Sequence, residues 1–250
     1  MIKRLLGASI VSVCLFVFSG AVFADMGGYG YNYSSYQFQM QKAPPKNDSL
    51  EFARDGKSYY AYAGYVFSYH FNDKFITFDD ALTEFTIALD GKKALPDQFH
   101  GIEVGMGKQL SKHFDLRASY IQQFIEKRNG TISQEGVNVA SLSKVSMKGM
   151  SVNLLYFFNT IARFQFGAEI GASIMHVSDI VETSGFTYNL PDNNTTEVDP
   201  NLGLELVVHF TPSIALRLNE KYIWHSGSEV SSGELNTLVG LSYALFTSNN

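Results

Sequence analysis

Six charged residues of balanced sign recur at one parity of strand-like segments: Glu103, Glu169 and Glu205 against Arg117, Arg217 and Lys221. Charges of this kind are tolerable in a narrow, poorly solvated interior only when paired and hydrogen-bonded. The chemistry they offer is therefore a lumen ion-pair network, or a gated ion path if the pairs exchange partners. A second group, His225, Ser226, Ser228, Glu229 and Glu234, crowds into a single loop. A hydroxyl, an imidazole and a carboxylate suffice for ester hydrolysis, but a solvated Ser/Gly loop has the same composition, so no enzyme is expected. His100, His176 and His209 stand alone on strands with no second ligand at metal-binding spacing. No metal site and no cofactor are expected. The glycines of 101–107 lie on a strand and precede no helix, which excludes a phosphate-binding loop.

The elements that must position these residues are strands. Period-two alternation marks eight segments, at 58–71, 101–110, 115–125, 146–158, 163–177, 202–210, 214–224 and 235–246. In 163–177 one face carries Phe164, Phe166, Ala168, Ile170, Ala172 and Ile174, and the other Gln165, Gly167, Glu169 and Gly171. In 146–158, Leu155 and Phe157 blur an otherwise polar inner face. Each segment is about the 9–11 residues that a tilted strand needs to cross hydrocarbon.

The connections alternate in length. Three are short, Ser111 to His113, Asn159 to Ala162 and Thr211 to Ser213, whereas 72–98, 126–144, 178–198 and 225–234 are long. Short turns on one side and long loops on the other are the plan of an outer-membrane barrel. Aromatics gather at both ends of the segments: Phe114, Phe158, Phe164, Phe210 and Phe246 beside the short turns, Tyr222 and Trp224 beside the long loops. Two such belts predict a membrane girdle. Loops 126–144 and 178–198 read as polar, solvated and mobile. In 77–91, Phe78, Leu82, Phe85 and Leu89 fit an amphipathic helix or, equally, an extra strand above the membrane.

Residues 1–24 have the plan of a cleaved signal peptide, with Lys3 and Arg4 before an apolar stretch and Val22 and Ala24 at the small-residue positions. Cleavage removes the single cysteine, Cys14, and with it any disulfide or thiol chemistry. It also removes Lys3 and Arg4, which takes the formal charge from −5 to −7. A mildly acidic exported chain has no electrostatic footprint for nucleic acid. Residues 25–57 form a Gly/Tyr-rich periplasmic leader and linker, with a short extra strand or a plug in the barrel mouth as the alternative, 58–246 the barrel and 247–250 a tail.

The four hairpins, the Gly-rich inner faces and the final strand Leu241-Ser242-Tyr243-Ala244-Leu245-Phe246 resemble the eight-stranded outer-membrane family that includes the OmpA transmembrane domain, OmpW and the opacity-type surface antigens. The resemblance implies an all-β fold, an eight-stranded antiparallel up-and-down transmembrane β-barrel in the bacterial outer membrane. It implies as partners outer-membrane lipid, lipopolysaccharide, the barrel-insertion machinery and a host or surface ligand at the loops. The expected function is non-enzymatic, in envelope integrity or in host and surface interaction. A narrow channel for ions or small apolar solutes is the alternative. A lipid A hydrolase comes third, because the outer-membrane lipid A deacylases separate His and Ser by one residue before Asn, whereas this chain reads His225-Ser226-Gly227-Ser228-Glu229.

Overall fold

A computed structural model describes residues 54, 58–79, 84–160 and 163–246. The expectations for 1–24, for most of 25–57, for the side chain of Phe246 and for 247–250 fall outside these residues. Twelve strands are present: β1 (Tyr59–His70), β2 (Phe75–Asp79), β3 (Thr86–Asp90), β4 (Gln98–Gln109), β5 (Phe114–Gln123), β6 (Glu126–Gln134), β7 (Val137–Phe157), β8 (Phe164–Glu182), β9 (Thr187–Asn189), β10 (Thr196–His209), β11 (Ile214–Trp224) and β12 (Gly233–Phe246). A single-turn helix, α1 (Gly91–Ala94), follows β3, with the Asp90 side chain accepting from Lys92 N.

Eight strands close the barrel in the order β1-β4-β5-β7-β8-β10-β11-β12, and β12 returns to pair with β1. Every pairing is antiparallel. No strand edge is left within the membrane, which is what lipid requires, because unpaired backbone groups have no water there. The distribution of side chains is inverted relative to a soluble protein. Met150, Ile170 and Met106 expose 64%, 63% and 57% of their surface on the outer wall, while Arg117 and Asp115 inside expose none. Such an apolar outer wall is stable only against hydrocarbon.

The short turns are held by hydroxyls. Ser111 Oγ accepts from the backbone N–H of His113 and Phe114, and Thr211 Oγ1 from that of Ser213 and Ile214. On the inner wall, glycine makes room for tyrosine. A Cβ on Gly107 would lie 2.1 Å from Tyr60 Cζ, and one on Gly105 would lie 2.5 Å from Tyr62 Cε1.

On the long-loop side the structure corrects an expectation. Segments 126–144 and 178–198 are not solvated loops but strands. β7 has 21 residues and β8 has 19, far more than a membrane crossing needs. About eight residues of β8, roughly 25 Å of strand, therefore rise beyond the lipid. β2, β3, β6 and β9 pair onto these extensions in the order β2-β3-β6-β7-β8-β9. Between the two alternatives for 77–91, the extra strand is realised, as β2 and β3. Ile76, Ile87, Leu89, Leu95, Ile132, Val145, Val181 and Tyr188 are buried in an apolar core that runs on into the barrel through Phe99, Ile121, Val66 and Tyr62, so the crown is packed onto the barrel. The hairpin β6–β7 turns on Glu135 and Gly136, with φ of 49° and 79°. Positive φ at both central residues matches the twist of antiparallel strands.

Candidate functional site

Inward residues of the eight strands stack into a column. At its foot Leu155, Phe157, Val207 and Ala215 form a small apolar floor. Thus the two residues that blur the inner face of 146–158 serve to close the barrel. Beside them Arg54 pairs with Asp115, its guanidinium 4.0 Å over the Phe157 ring. Arg54 falls in the span the sequence assigns to the leader, and its side chain lies inside the barrel.

All six predicted lumen charges meet above this floor. Arg117 bridges Glu169 and Glu205, and Arg217 adds a second ion pair to Glu205. Asn219 Nδ2 donates to Glu169 Oε1 at 3.1 Å. Lys221 Nζ lies 3.9 Å from Glu103 Oε2, whose partner oxygen Oε1 accepts from Tyr62 OH at 2.5 Å. Arg217 sits 3.9 Å over the Tyr60 ring. Each charge thus answers its desolvation with an opposite charge, an amide or a π face, as burial in low dielectric demands. Asn219 shares the parity of Arg217 and Lys221 but carries no charge, and Tyr60 and Tyr62 lie in a segment aromatic on both faces, where parity alone picks out no inner side.

The predicted girdle residues separate by level. Phe114, Phe158, Phe164 and Phe210 are exposed beside the short turns. At the other end Trp224 is exposed and meets Tyr222 edge-on at 4.8 Å.

Over the column, beneath the crown, lies a polar chamber. His70 Nε2 is 2.6 Å from Glu234 Oε2, and His225 Nδ1 is 2.8 Å from Asp199 Oδ2. The His70 and His225 rings stack at 5.9 Å. Gln123 Nε2 donates to Glu234 Oε2 at 2.9 Å and Asn236 Nδ2 to Glu234 Oε1 at 2.9 Å. Burial alone would lower the His225 pKa, but the Asp199 hydrogen bond and the nearby Glu234 and Asp199 charges raise it above the ordinary imidazole value. Asp179, on the β8 extension, is pushed up to about 7 by burial and by the Asp192 charge.

The loop cluster does not assemble as a hydrolase would. Ser226 Oγ is 3.4 Å from Asp199 Oδ1, and Ser228 Oγ donates to Asp192. Both hydroxyls thus go to carboxylates and neither to the His225 imidazole. Glu229 is exposed, and Glu234 belongs to His70. Of the isolated histidines, His100 contacts Tyr65 OH on the outer wall, and His176 Nδ1 lies 3.3 Å from Thr196 Oγ1. His209 lies on the inner face of β10 near the short turn.

No protein-family model and no curated protein matches the chain. Among solved structures it is similar to the outer membrane protein OprG from Pseudomonas aeruginosa, over 78% of this chain and 99% of that one, at 10% identity and a TM-score of 0.51. Ail, the attachment invasion locus protein of Yersinia pestis, aligns with 75% of this chain and 98% of its own, at 11% identity and 0.47. The Neisserial surface protein A aligns with 74% and 96%, at 10% identity and 0.46. At such identities the OprG likeness carries the fold alone, that of an eight-stranded outer-membrane β-barrel. The inverted wall agrees with a barrel that meets hydrocarbon on its outside.

Proposed function

We propose that this outer-membrane barrel is a non-enzymatic surface protein whose sealed lumen anchors a folded crown, and that the crown makes the contacts that matter outside the cell. The observation that carries this reading is the bridging of Glu169 and Glu205 by Arg117, all three without exposed side-chain surface. An eight-stranded wall is just wide enough to be filled by its own side chains, and here ion pairs, tyrosines and an apolar floor fill it. A general diffusion path does not fit. The crown argues for contact outside: its strands have an apolar core, so they present a fixed surface and pay little ordering entropy on binding.

Two measurements test this. In planar bilayers the full chain gives no sustained conductance, and a steady open level would favour the narrow channel instead. Cells carrying the full chain are compared with cells carrying one in which the β6–β7 hairpin is cut back over 129–141. Loss of surface attachment or of envelope resistance, with the barrel still heat-modifiable on gels, supports the reading. If both properties survive the trimming, the crown is not the working surface.

A further inference from the structure

We infer that the chamber above the ion-pair column is a binding site for a divalent transition-metal ion of zinc's class, held by His70, His225 and Glu234. One donor atom of each lies within 4.8 Å of the others, and all three residues are buried. The backbone fixes this convergence. His70 and Glu234 are directly paired across β1 and β12, and His225 leaves the end of β11, the strand on the other side of β12. Zinc takes such nitrogen and oxygen donors at ~2.0–2.2 Å.

The second shell is already in place. His225 Nδ1 is anchored on Asp199, an arrangement that orients a ligating imidazole and leaves its other nitrogen as the donor. That nitrogen, Nε2, is buried and has no hydrogen-bond partner. An orphaned lone pair in such a place asks for a ligand. Glu234 is braced by Gln123 and Asn236, and a bound ion would replace its direct 2.6 Å contact with His70 Nε2.

Charge points the same way. Among the described residues, the buried carboxylates are Glu103, Asp115, Glu169, Asp179, Asp192, Asp199, Glu205 and Glu234, and the buried permanent cations are Arg54, Arg117, Arg217 and Lys221. The negative excess lies at the upper end, where a divalent cation would neutralise it. Two imidazoles with one carboxylate suit zinc, copper or nickel, whereas calcium and magnesium want oxygen shells. A small cavity under the crown, apolar on the side of Phe99, Val145 and Met147, is lined by His70 and His225 and also by Asp192 and Glu197. His225 and Glu234 lie in one loop cluster of the sequence, but His70 lies 155 residues before His225, so no spacing motif joins it to them.

The test uses the full chain without an affinity tag, folded in detergent micelles, with zinc chloride and calcium chloride as probes. Titration calorimetry and metal analysis after dialysis are expected to show one zinc per chain and no calcium. His70→Ala and His225→Ala each weaken zinc at least a hundredfold, Asp199→Asn weakens it ten- to a hundredfold, and the double variant His100→Ala/His176→Ala leaves it unchanged. Heat-modifiable gel mobility checks that each variant is folded. Cobalt added to the unmodified chain gives visible absorption bands that zinc displaces, a readout that needs no variant. The inference is overturned if the unmodified chain retains no zinc, if His70→Ala and His225→Ala both bind as before, or if the surface histidines account for the binding.

Discussion

Arg54 and Asp115 meet inside the barrel although 61 residues separate them along the chain. Arg54 does more than pair. Its backbone N donates to Thr160 O at 2.9 Å and its Nε to Lys112 O at 2.8 Å. A residue that precedes the first strand is thereby fastened to two of the short turns. Arg54 consequently contributes to the barrel floor.

Asp115 has no exposed side-chain surface, so removing its partner strands a buried carboxylate. Arg54→Ala is expected to cost about 3–5 kcal/mol, because a lone buried charge loses its compensation. The double variant Arg54→Ala/Asp115→Asn should recover most of that loss. Urea unfolding in micelles, followed through the single tryptophan Trp224, measures both. Equal midpoints for Arg54→Ala and the unmodified chain would show that the pair contributes nothing net.

The β6–β7 turn offers a cleaner case. A Cβ on Gly136 would meet nothing within 4 Å, so a substitution there tests conformation alone. With φ at 79°, Gly136→Ala should destabilise the hairpin by about 1–2 kcal/mol. Hydrogen exchange ought to quicken over 132–139 while β5 and β11 keep their protection. Uniform exchange across the chain would refute a local effect. Glu135 is bound more firmly, since its Oε1 accepts from Thr86 N at 2.6 Å and its own N donates to Thr86 O at 3.0 Å.

That turn also shows where the sequence was legible and where it was not. The eight membrane strands announce themselves because lipid enforces strict period two, and residues such as Ile170 and Glu169 are sorted by parity alone. The six lumen charges follow from the same rule. The crown does not, because its strands pack only one face on an apolar core, leave the other to water and carry Asn, Ser and Thr, as in Asn129 and Thr131. Glu135-Gly136 lacks the usual Asn-Gly signal, and only its φ values and the Thr86 contacts reveal a hairpin. The chamber was half hidden for another reason: His225 and Glu234 share one loop cluster, but His70 joins them only through the closure of β12 on β1.

The crown carries a titration of its own. Asp179 has a folded pKa near 7 against an ordinary value of 3.8, and Asp192 and Glu197 face it with charge of the same sign. A raised folded pKa means the folded state holds its proton more tightly. The stabilisation is therefore fully present below about pH 4 and is lost as pH rises through 7. The crown should loosen between pH 5 and pH 8, with hydrogen exchange in 175–192 rising while the membrane strands stay protected. Asp179→Asn, neutral throughout, should abolish that dependence. A crown equally protected at both pH values in the unmodified chain would sink this expectation.

Glu220 points the other way from Arg217, Asn219 and Lys221. It shares its parity with Leu216, Leu218 and Tyr222 and is flanked across the ladders by Leu204 and Thr237, which places a half-buried carboxyl on the lipid-facing wall. An acidic side chain there costs less than Arg or Lys at the same depth, but it still costs. Glu220→Leu is expected to raise stability in lipid vesicles by about 1–2 kcal/mol, and Glu220→Gln by less. Leu204→Glu, on the neighbouring strand, should lower stability by a comparable amount. Urea unfolding in vesicles compares the three, with detergent micelles as the softer control. If Glu220→Leu destabilises the barrel in lipid, the carboxyl has a partner in the membrane, and this wall is a contact surface instead of a lipid boundary.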